Sequence, residues 1–336
     1  MKNACLVIAE AGVNHNGDLK LAKQLVDIAV EAGADIVKFQ TFKASSLVTQ
    51  EAKMAAYQKA NTGKTESQYE MLKRLELSHE DHHTLMQYCR EKNIEFLSTG
   101  FDEESLLFLN ELGLRKFKIP SGEMTNYPYL KLMASFKPEL LVMSTGMATM
   151  AEVKNSFDLL VKSGVDKERI VVLHCTTDYP TALKDVNLSS MVAMGKELGC
   201  RVGYSDHTTS LEVPLSAVAL GATVIEKHFT VSKDLPGPDH KASLEGAELK
   251  EMVKRIRDFS TYWGLPEKKP TSQELQNRLV ARKSIVAKTD IAAGEVLSEK
   301  NLTTKRPGTG VDPMQWPSVL GTKAKRSFKQ DELIEL

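Results

Sequence analysis

Two histidines stand at the ends of apolar, strand-like segments in the second half of the chain. His207 ends the segment GYSDH and His228 ends the segment TVIEKH. Two neighbouring imidazoles, with positions left open for water and substrate, suit a catalytic divalent metal ion. The sequence therefore predicts a metal site at His207 and His228, in which Asp206 or Glu226 adds a ligand or orients an imidazole. The alternative is that each imidazole is a hydrogen-bonded residue that only ends a strand.

Basic and hydroxyl side chains occur in several other strand-like segments. Lys38 and Lys118 lie within apolar runs, and three hydroxyls stand where such a run gives way to a loop, at Thr99, Ser121 and Ser144. Ammonium groups, hydroxyls and loop N–H groups together bind anions such as phosphate and carboxylate. The sequence therefore predicts an anionic small-molecule ligand. Two alternatives remain open, a lysine that forms a Schiff base with a substrate and lysines that are paired with buried acids.

Two loops rich in proline and glycine add further candidates. The loop DLPGPDHKAS follows the last of these segments directly and carries Asp239, and the loop KRPGTG near the end of the chain carries Arg306. Prolines stiffen such turns. Arg306 is either a clamp for a carboxylate or a surface charge.

Eight apolar, strand-like segments alternate with longer segments of helical period. The strand candidates are ACLVIAE, ADIVKFQTF, IEFLSTG, KFKIPSG, LLVMSTG, IVVLHCT, RVGYSDH and TVIEKHF. Eight β-then-α units over about 250 residues are typical of the α/β fold called the (β/α)8 TIM barrel, whose active site lies at the carboxyl ends of parallel strands. Segment after segment ends in a reactive side chain, which favours the barrel over the alternative, an open doubly wound sheet.

One helical segment carries a cluster of histidines. His79, His82 and His83 fall in the first turns of SHEDHHTLMQYC, in which Leu85 and Met86 are the expected core positions. In an amphipathic helix the polar side chains face water. We therefore expect all three imidazoles to be solvated.

The pattern changes after Phe259. Prolines, a glycine and many charges are typical of a linker that starts a short helix, and short β-like pieces joined by Gly and Pro turns follow from Ser284. We therefore predict a catalytic barrel over residues 1–262, a linker over residues 263–282 and a small β-rich domain over residues 283–336.

The composition limits the class of partner. The 336 residues include 44 Lys and Arg against 44 Asp and Glu, and this zero net charge argues against a dedicated nucleic-acid or membrane-surface protein. The four cysteines lack disulfide-framework or zinc spacing, and no apolar run is long enough to span a membrane. The sequence therefore predicts a cytoplasmic protein that binds small molecules or other copies of itself.

Nine motifs together resemble the bacterial sialic acid synthase family, in the family's order and over nearly the whole chain. They are AEAGVNHNGD, VKFQTFKA, FKIPSGE, STGMAT, HCTTDYPT, GYSDHT, EKHFT, LPGPDHKASLE and TTKRPGTG. The resemblance implies a TIM barrel followed by an antifreeze-like (SAF) domain, in a domain-swapped homodimer whose tail domains each cap the partner's barrel. It also implies the condensation of phosphoenolpyruvate with an N-acetylated mannose-type sugar to give a nine-carbon 2-keto acid and phosphate.

The resemblance also assigns roles to residues that match the family's motifs. His207 and His228 would bind a divalent ion, with Mn²⁺ as the expected ion and Mg²⁺ or Co²⁺ as alternatives. Glu123 matches an acidic residue with a role in proton transfer, for which Glu10 is the alternative. Phosphoenolpyruvate would contact Lys38, Thr99, Lys118, Ser121, Ser144 and Ser205. The sugar would contact Glu10, Tyr179, Asp239 and, from the other subunit, Arg306.

The sequence leaves the acceptor sugar open. Some members of the family have Asn at the position of Thr177, close to the sugar. N-acetylmannosamine, which gives N-acetylneuraminate, is the first expectation, and 2,4-diacetamido-2,4,6-trideoxymannose, which gives N,N'-diacetyllegionaminate, is the alternative. More distant alternatives are a Schiff-base barrel aldolase, a synthase for a shorter aldose phosphate and a non-catalytic carbohydrate- or ice-binding protein.

Overall fold

Eight strands alternate with helices in the first part of the chain. The computed structural model describes residues 5–55, 58–59 and 66–336, and the chain divides into two units, Met1–Gly264 and Leu265–Leu336. Each of these eight strands coincides with one of the eight predicted segments. The strands are β1 Leu6–Gly12, β2 Ile36–Thr41, β3 Glu95–Gly100, β4 Lys116–Ile119, β5 Leu140–Ser144, β6 Ile170–Cys175, β7 Arg201–Asp206 and β8 Val224–Thr230.

The eight strands form a parallel barrel. Hydrogen-bonded neighbours follow the order β3-β2-β1-β8-β7-β6-β5-β4, and the two end strands, β3 and β4, lie in contact. This cyclic order confirms the predicted TIM barrel, so the open doubly wound sheet is wrong. The register sets Glu10 of β1 opposite both Lys38 of β2 and His228 of β8, which brings residues far apart in sequence to one level of the barrel. A two-residue strand, β9 (Leu244–Glu245), pairs with β8 beyond the barrel level.

Amphipathic helices cover the barrel. In α1 (Leu19–Ala32), Asp18 accepts hydrogen bonds from first-turn N–H groups, and Gly33 ends the helix at φ 76°. The other helices of this unit are α2 Ala44–Leu47, α3 Gln68–Leu75, α4 His79–Glu91, α5 Glu103–Glu111, α6 Tyr127–Ser135, α7 Met150–Lys162, α8 Leu188–Leu198, α9 Glu212–Ala219 and α10 Gly246–Trp263. Among the described residues, no helix is both long and apolar enough to cross a membrane.

One of the three histidines of α4 is not solvated as predicted. His79 and His83 are exposed, whereas His82 is fully buried, so its predicted solvation is wrong. Its ring nitrogens lie 2.7 Å from Thr41 Oγ1 and 2.8 Å from the carbonyl oxygen of Ser78. The reason is helical spacing, because position 82 shares the buried face of α4 with Leu85, three residues later.

The second unit is a small β-rich domain, as predicted. It begins with helix α11 (Ser272–Ala281), which lies within the predicted linker. Apolar side chains, among them Ile285 and Phe328, form its own core. Its other elements are the antiparallel pair β10 (Ser284–Ala287) and β11 (Leu302–Lys305), and the short helix α12 (Trp316–Val319).

Candidate active site

Four ionic side chains form a buried network inside the barrel. Lys38 Nζ lies 2.7 Å from Glu10 Oε2 and 3.6 Å from Glu226 Oε2, and Lys118 Nζ lies 3.2 Å from Glu226 Oε1. These side chains come from β1, β2, β4 and β8, so they can meet only across the barrel interior. Buried charges persist only when they are paired. Glu226 thus joins the two lysines that the sequence predicts as anion ligands.

The two carboxyl groups of this network have opposite pKa shifts. Burial, with Glu226 nearby, raises the pKa of Glu10 above its ordinary value, although Lys38 opposes this shift. Burial acts on Glu226 in the same direction, but Lys118 and Lys38 outweigh it and hold the pKa of Glu226 well below its ordinary value. Glu226 is therefore the ionised partner and Glu10 the group that accepts a proton more readily. The two ammonium groups of Lys38 and Lys118, which Glu226 brings together, suit an anionic ligand.

Hydroxyl groups surround the network. Thr99 Oγ1 accepts a hydrogen bond from Lys38 Nζ at 2.9 Å, and Ser205 Oγ donates one to Glu226 Oε1 at 2.9 Å. The buried hydroxyl of Ser144 has no hydrogen-bond partner within the described ranges. A buried polar atom of this kind needs a partner, which a ligand can supply.

Ser121 and Thr177 lie close together around Gly146. The N–H of Gly146 donates to Ser121 Oγ at 3.0 Å, and a Cβ at Gly146 would lie only 2.5 Å from Thr177 Cγ2. Only glycine allows this close approach. Ser121 Oγ also lies 3.3 Å from Cys175 Sγ, at the end of β6.

His207 and His228 lie side by side near the ends of β7 and β8. Their ring centroids are 5.4 Å apart. The ring of Tyr179 packs against both, with centroids 4.1 Å from that of His207 and 5.7 Å from that of His228. The structure thus brings together the two predicted metal ligands and one predicted sugar contact.

The surroundings of the two imidazoles fit a divalent metal ion. His207 Nδ1 lies 2.5 Å from the carbonyl oxygen of Thr176, which can only accept a hydrogen bond, so Nδ1 donates and Nε2 keeps its lone pair. The buried Nδ1 of His228 has no hydrogen-bond partner in the described part of the chain. Burial lowers the pKa of His207 to about 4 and that of His228 well below its ordinary value, and neutral imidazole is the form that binds metals.

The protein would supply few ligands to a metal ion at this site. Among residues 5–55, 58–59 and 66–336, no group of three or more His, Cys, Asp or Glu side chains is arranged to hold a metal ion. Two imidazoles would leave the remaining positions to water and substrate, as catalytic metal sites require.

The acidic neighbours of the histidines have other partners. Lys227 Nζ lies 2.5 Å from Asp206 Oδ2, both side chains are fully buried, and Lys227 also donates to the carbonyl oxygen of Thr208. Because side chains alternate along a strand, Lys227 points to the face of β8 opposite to Glu226 and His228. The ion pair joins the ends of β7 and β8, so it fixes the strands that carry the two imidazoles.

A cavity of about 310 Å³ opens beside His228. Gln40 Nε2 donates to Glu10 Oε1 at 3.2 Å, which links the cavity to the ionic network. Burial and the neighbouring Glu10 raise the pKa of Asp239 to about 7. The polar lining of the cavity includes Gln40, Glu123, Tyr179 and Asp239. Two predicted sugar contacts, Tyr179 and Asp239, and the predicted proton-transfer residue Glu123 therefore share this cavity with His228.

Arg306 is the one predicted site residue in the second unit. It is exposed, in the turn that follows β11. The other predicted site residues all belong to the first unit.

Two features of the site are not predicted by the sequence. Glu226 is the centre of the ionic network, and Lys227 is the buried partner of Asp206. The period of two in a strand is the signal that assigns Glu226 and His228 to one face and Lys227 to the other. Which lysines reach Glu226 depends on the closure of the barrel, and no local pattern in the sequence shows that.

Comparisons with known proteins extend over the whole chain. A model described as the NeuB family matches residues 25–268, and one described as the SAF domain matches residues 282–335. The chain is 50% identical to the N,N'-diacetyllegionaminic acid synthase of Campylobacter jejuni over 329 residues, which are 98% of this chain and 98% of that protein. It is also 50% identical to the protein of the same name from Legionella pneumophila over 321 residues, which are 95% of this chain and 90% of that protein.

Solved structures agree with these matches. The crystal structure of an N-acetylneuraminic acid (sialic acid) synthetase from Leptospira borgpetersenii has 31% sequence identity and a TM-score of 0.71, and the match covers 82% of this chain and 90% of that chain. The family model spans most of the barrel, and the two relatives at 50% identity match over nearly their full length. These matches, together with the barrel and the tail domain of the structure, show that the chain belongs to the NeuB family.

Proposed function

We propose that this protein is a nonulosonic acid synthase, which condenses phosphoenolpyruvate with an N-acetylated mannose-type sugar and water and releases phosphate. The observation that carries this proposal is the 50% identity, over 98% of the chain, to a protein named as an N,N'-diacetyllegionaminic acid synthase. The buried cationic network beside two neutral imidazoles supports it, because both substrates of such a reaction need charge and orientation rather than a covalent partner.

Phosphoenolpyruvate would bind at the ionic network. Lys38 and Lys118 would hold its phosphate and carboxylate, and the hydroxyl of Ser144 would gain the hydrogen-bond partner that it lacks. Such positioning can supply several kcal/mol of the barrier reduction. The other proposed contacts to this substrate are Thr99, Ser121 and Ser205.

The chain's carboxyl groups would move the protons of the reaction. C3 of phosphoenolpyruvate bonds to the aldehyde carbon of the open-chain sugar, whose oxygen takes up a proton. Water then adds to C2 and gives up both of its protons, which end on the sugar oxygen and on the phosphate, while the bond from C2 to the phosphate-bearing oxygen breaks and leaves a 2-keto acid. Glu123 would accept the proton of the attacking water, and Glu10, with its raised pKa, is the alternative.

His207 and His228 would hold a divalent cation, with Mn²⁺ as the first expectation and Mg²⁺ or Co²⁺ as alternatives. When bound, such an ion polarises the carbonyl group of the acceptor. The chain's own contribution is to keep both rings neutral and fixed, through burial, the Thr176 carbonyl and the packing of Tyr179.

The relatives favour 2,4-diacetamido-2,4,6-trideoxymannose as the acceptor, with N,N'-diacetyllegionaminate as the product. N-acetylmannosamine, the first expectation from the sequence, is the second candidate and is favoured by the likeness to a sialic acid synthetase. We expect phosphate release from phosphoenolpyruvate with Mn²⁺ to be faster with the diacetamido sugar when both acceptors are assayed side by side. If neither sugar supports phosphate release, the proposed function is wrong.

We also propose a domain-swapped homodimer in the cytoplasm. In such a dimer the exposed Arg306 of each subunit would complete the sugar site of the other barrel, and the cap would exclude water. All four cysteines are free thiols, which suits a reducing compartment.

Mixing two inactive variants tests the swap. A preparation of Arg306→Ala and a preparation of His207→Ala should each be nearly inactive. After subunit exchange, a mixed dimer has one site that lacks both groups and one intact site, so random mixing should restore about a quarter of the wild-type rate. If exchange is verified by native mass spectrometry and no activity returns, the swapped cap is wrong. Mixing each variant with itself is the control.

A further inference from the structure

The cavity beside His228 has two unlike parts. One part carries the polar groups Gln40, Tyr179 and Asp239. In the other, the rings of Phe42 and Phe101 pack edge to face with their centroids 6.3 Å apart. We call this second part the apolar wall, and its residues are Val13, Phe42, Leu47, Met71, Leu72 and Phe101.

Two carboxylates fix the apolar wall in place. The N–H of Lys43 donates to Asp102 Oδ2 at 3.0 Å, and the N–H of Ala44 donates to Glu76 Oε1 at 2.8 Å. These bonds fix the start of α2, and the last residue of this short helix is Leu47 of the apolar wall. A surface that is ordered before the ligand arrives binds it without a further ordering cost.

The lining of the cavity constrains the ligand. None of the described residues that line it is Lys or Arg, so the described lining of the barrel itself offers no cation to a phosphorylated sugar, and the proposed Arg306 of the other subunit would be the one cationic group at the site. Hydroxyl groups against the apolar wall would lose hydrogen bonds to water without replacement, whereas methyl groups there would leave water favourably. Gln40 and Gln68 also line the cavity, and their amide groups can pair with the amide of an acetamido substituent.

The proposed reaction determines which end of the sugar meets the wall. The aldehyde carbon must lie by His207 and His228 and within reach of phosphoenolpyruvate at Lys38 and Lys118. His228 lines the same cavity as the wall, so an open-chain hexose held at C1 extends C4 to C6 into the rest of that cavity.

We infer that the apolar wall is the specificity site of the enzyme, which binds the acetamido methyl at C4 and the methyl group at C6 of a deoxygenated acceptor. This inference rests on the proposed function and deepens it, since it names the groups by which the site distinguishes a trideoxy diacetamido sugar from a hydroxylated one. A hydrophobic pocket discriminates a methyl from a polar group by about tenfold or more.

Four acceptors and three variants test the inference. The acceptors are 2,4-diacetamido-2,4,6-trideoxymannose, 2-acetamido-2,6-dideoxymannose, N-acetylmannosamine and its 6-phosphate. We expect kcat/KM of the wild type to fall in this order, by about tenfold at each step. Leu47→Gln and Leu72→Gln place an amide in the wall at two independent, half-buried positions. Leu107→Gln on α5, where the side chain is 43% exposed and outside the cavity, is the matched control.

Each wall variant should reduce the preference for the diacetamido sugar over N-acetylmannosamine by about tenfold. The change should appear in the KM of the deoxygenated acceptors, while the KM of phosphoenolpyruvate and the melting temperature stay near the wild-type values. The control should keep the wild-type preference. An unchanged preference in both wall variants overturns this inference alone, whereas a wild type that releases no phosphate with any of the acceptors overturns the proposed function itself.

Discussion

Replacing both His207 and His228 with alanine should lower the rate of phosphate release from phosphoenolpyruvate by about 10³-fold or more. The two rings lie 5.4 Å apart and burial keeps them neutral, which fits the proposed cation site. Without them the acceptor's carbonyl group would lose its activating ion. The measurement is the initial rate with saturating substrates and added Mn²⁺, with bound metal determined by elemental analysis of the same samples.

Chelation distinguishes this expectation from the Schiff-base alternative. Wild-type protein treated with a chelator should lose activity and regain it with Mn²⁺, and borohydride in the presence of substrate should leave it active. A lysine aldolase would behave in the opposite way on both counts. His83→Ala is the matched control, because that imidazole is exposed on α4. Normal turnover by the double variant, or by metal-free protein, would falsify the metal site.

The sequence predicts the barrel because local patterns determine its elements. Each strand is a short apolar run with polar residues near its carboxyl end, and most of the helices have a side-chain N-cap, as Asp18 shows for α1. Parallel strands then have to present their carboxyl ends on one rim. The proximity of His207 and His228 follows from this rule, since they lie near the carboxyl ends of consecutive strands.

Contacts across the barrel depend on the closure of the sheet, so local sequence patterns do not predict them. Lys118 of β4 meets Glu226 of β8 only because the sheet closes, and 108 residues separate them in sequence. The apolar wall likewise depends on how residues 42–47 fold back against α3, held by Glu76. His82 shows a different limit of prediction from sequence. A polar side chain at a core-facing position is buried when hydroxyl and carbonyl partners lie within reach, and a local pattern does not show these partners.

Replacing Lys118 with methionine should lower kcat/KM for phosphoenolpyruvate by about 10³-fold. Lys118 is one of two ammonium groups in the buried network, and methionine keeps much of its volume without the charge. Removal also leaves Glu226 with Lys38 as its cationic partner at 3.6 Å, so the protein should lose about 3 kcal/mol of unfolding free energy. Steady-state kinetics and urea unfolding measure the two effects.

A second substitution separates substrate binding from stability. In the double variant Lys118→Met/Glu226→Gln the buried carboxylate is gone, so stability should return toward the wild-type value while kcat/KM stays low. Lys116→Met is the control, because Lys116 lies two residues earlier on β4, is 31% exposed and pairs with Glu95 at the surface, where an ion pair contributes about 1 kcal/mol or less. If activity returned together with stability in the double variant, Lys118 would serve only to neutralise Glu226. If activity stays low in a stable protein, the ammonium group itself binds the anion.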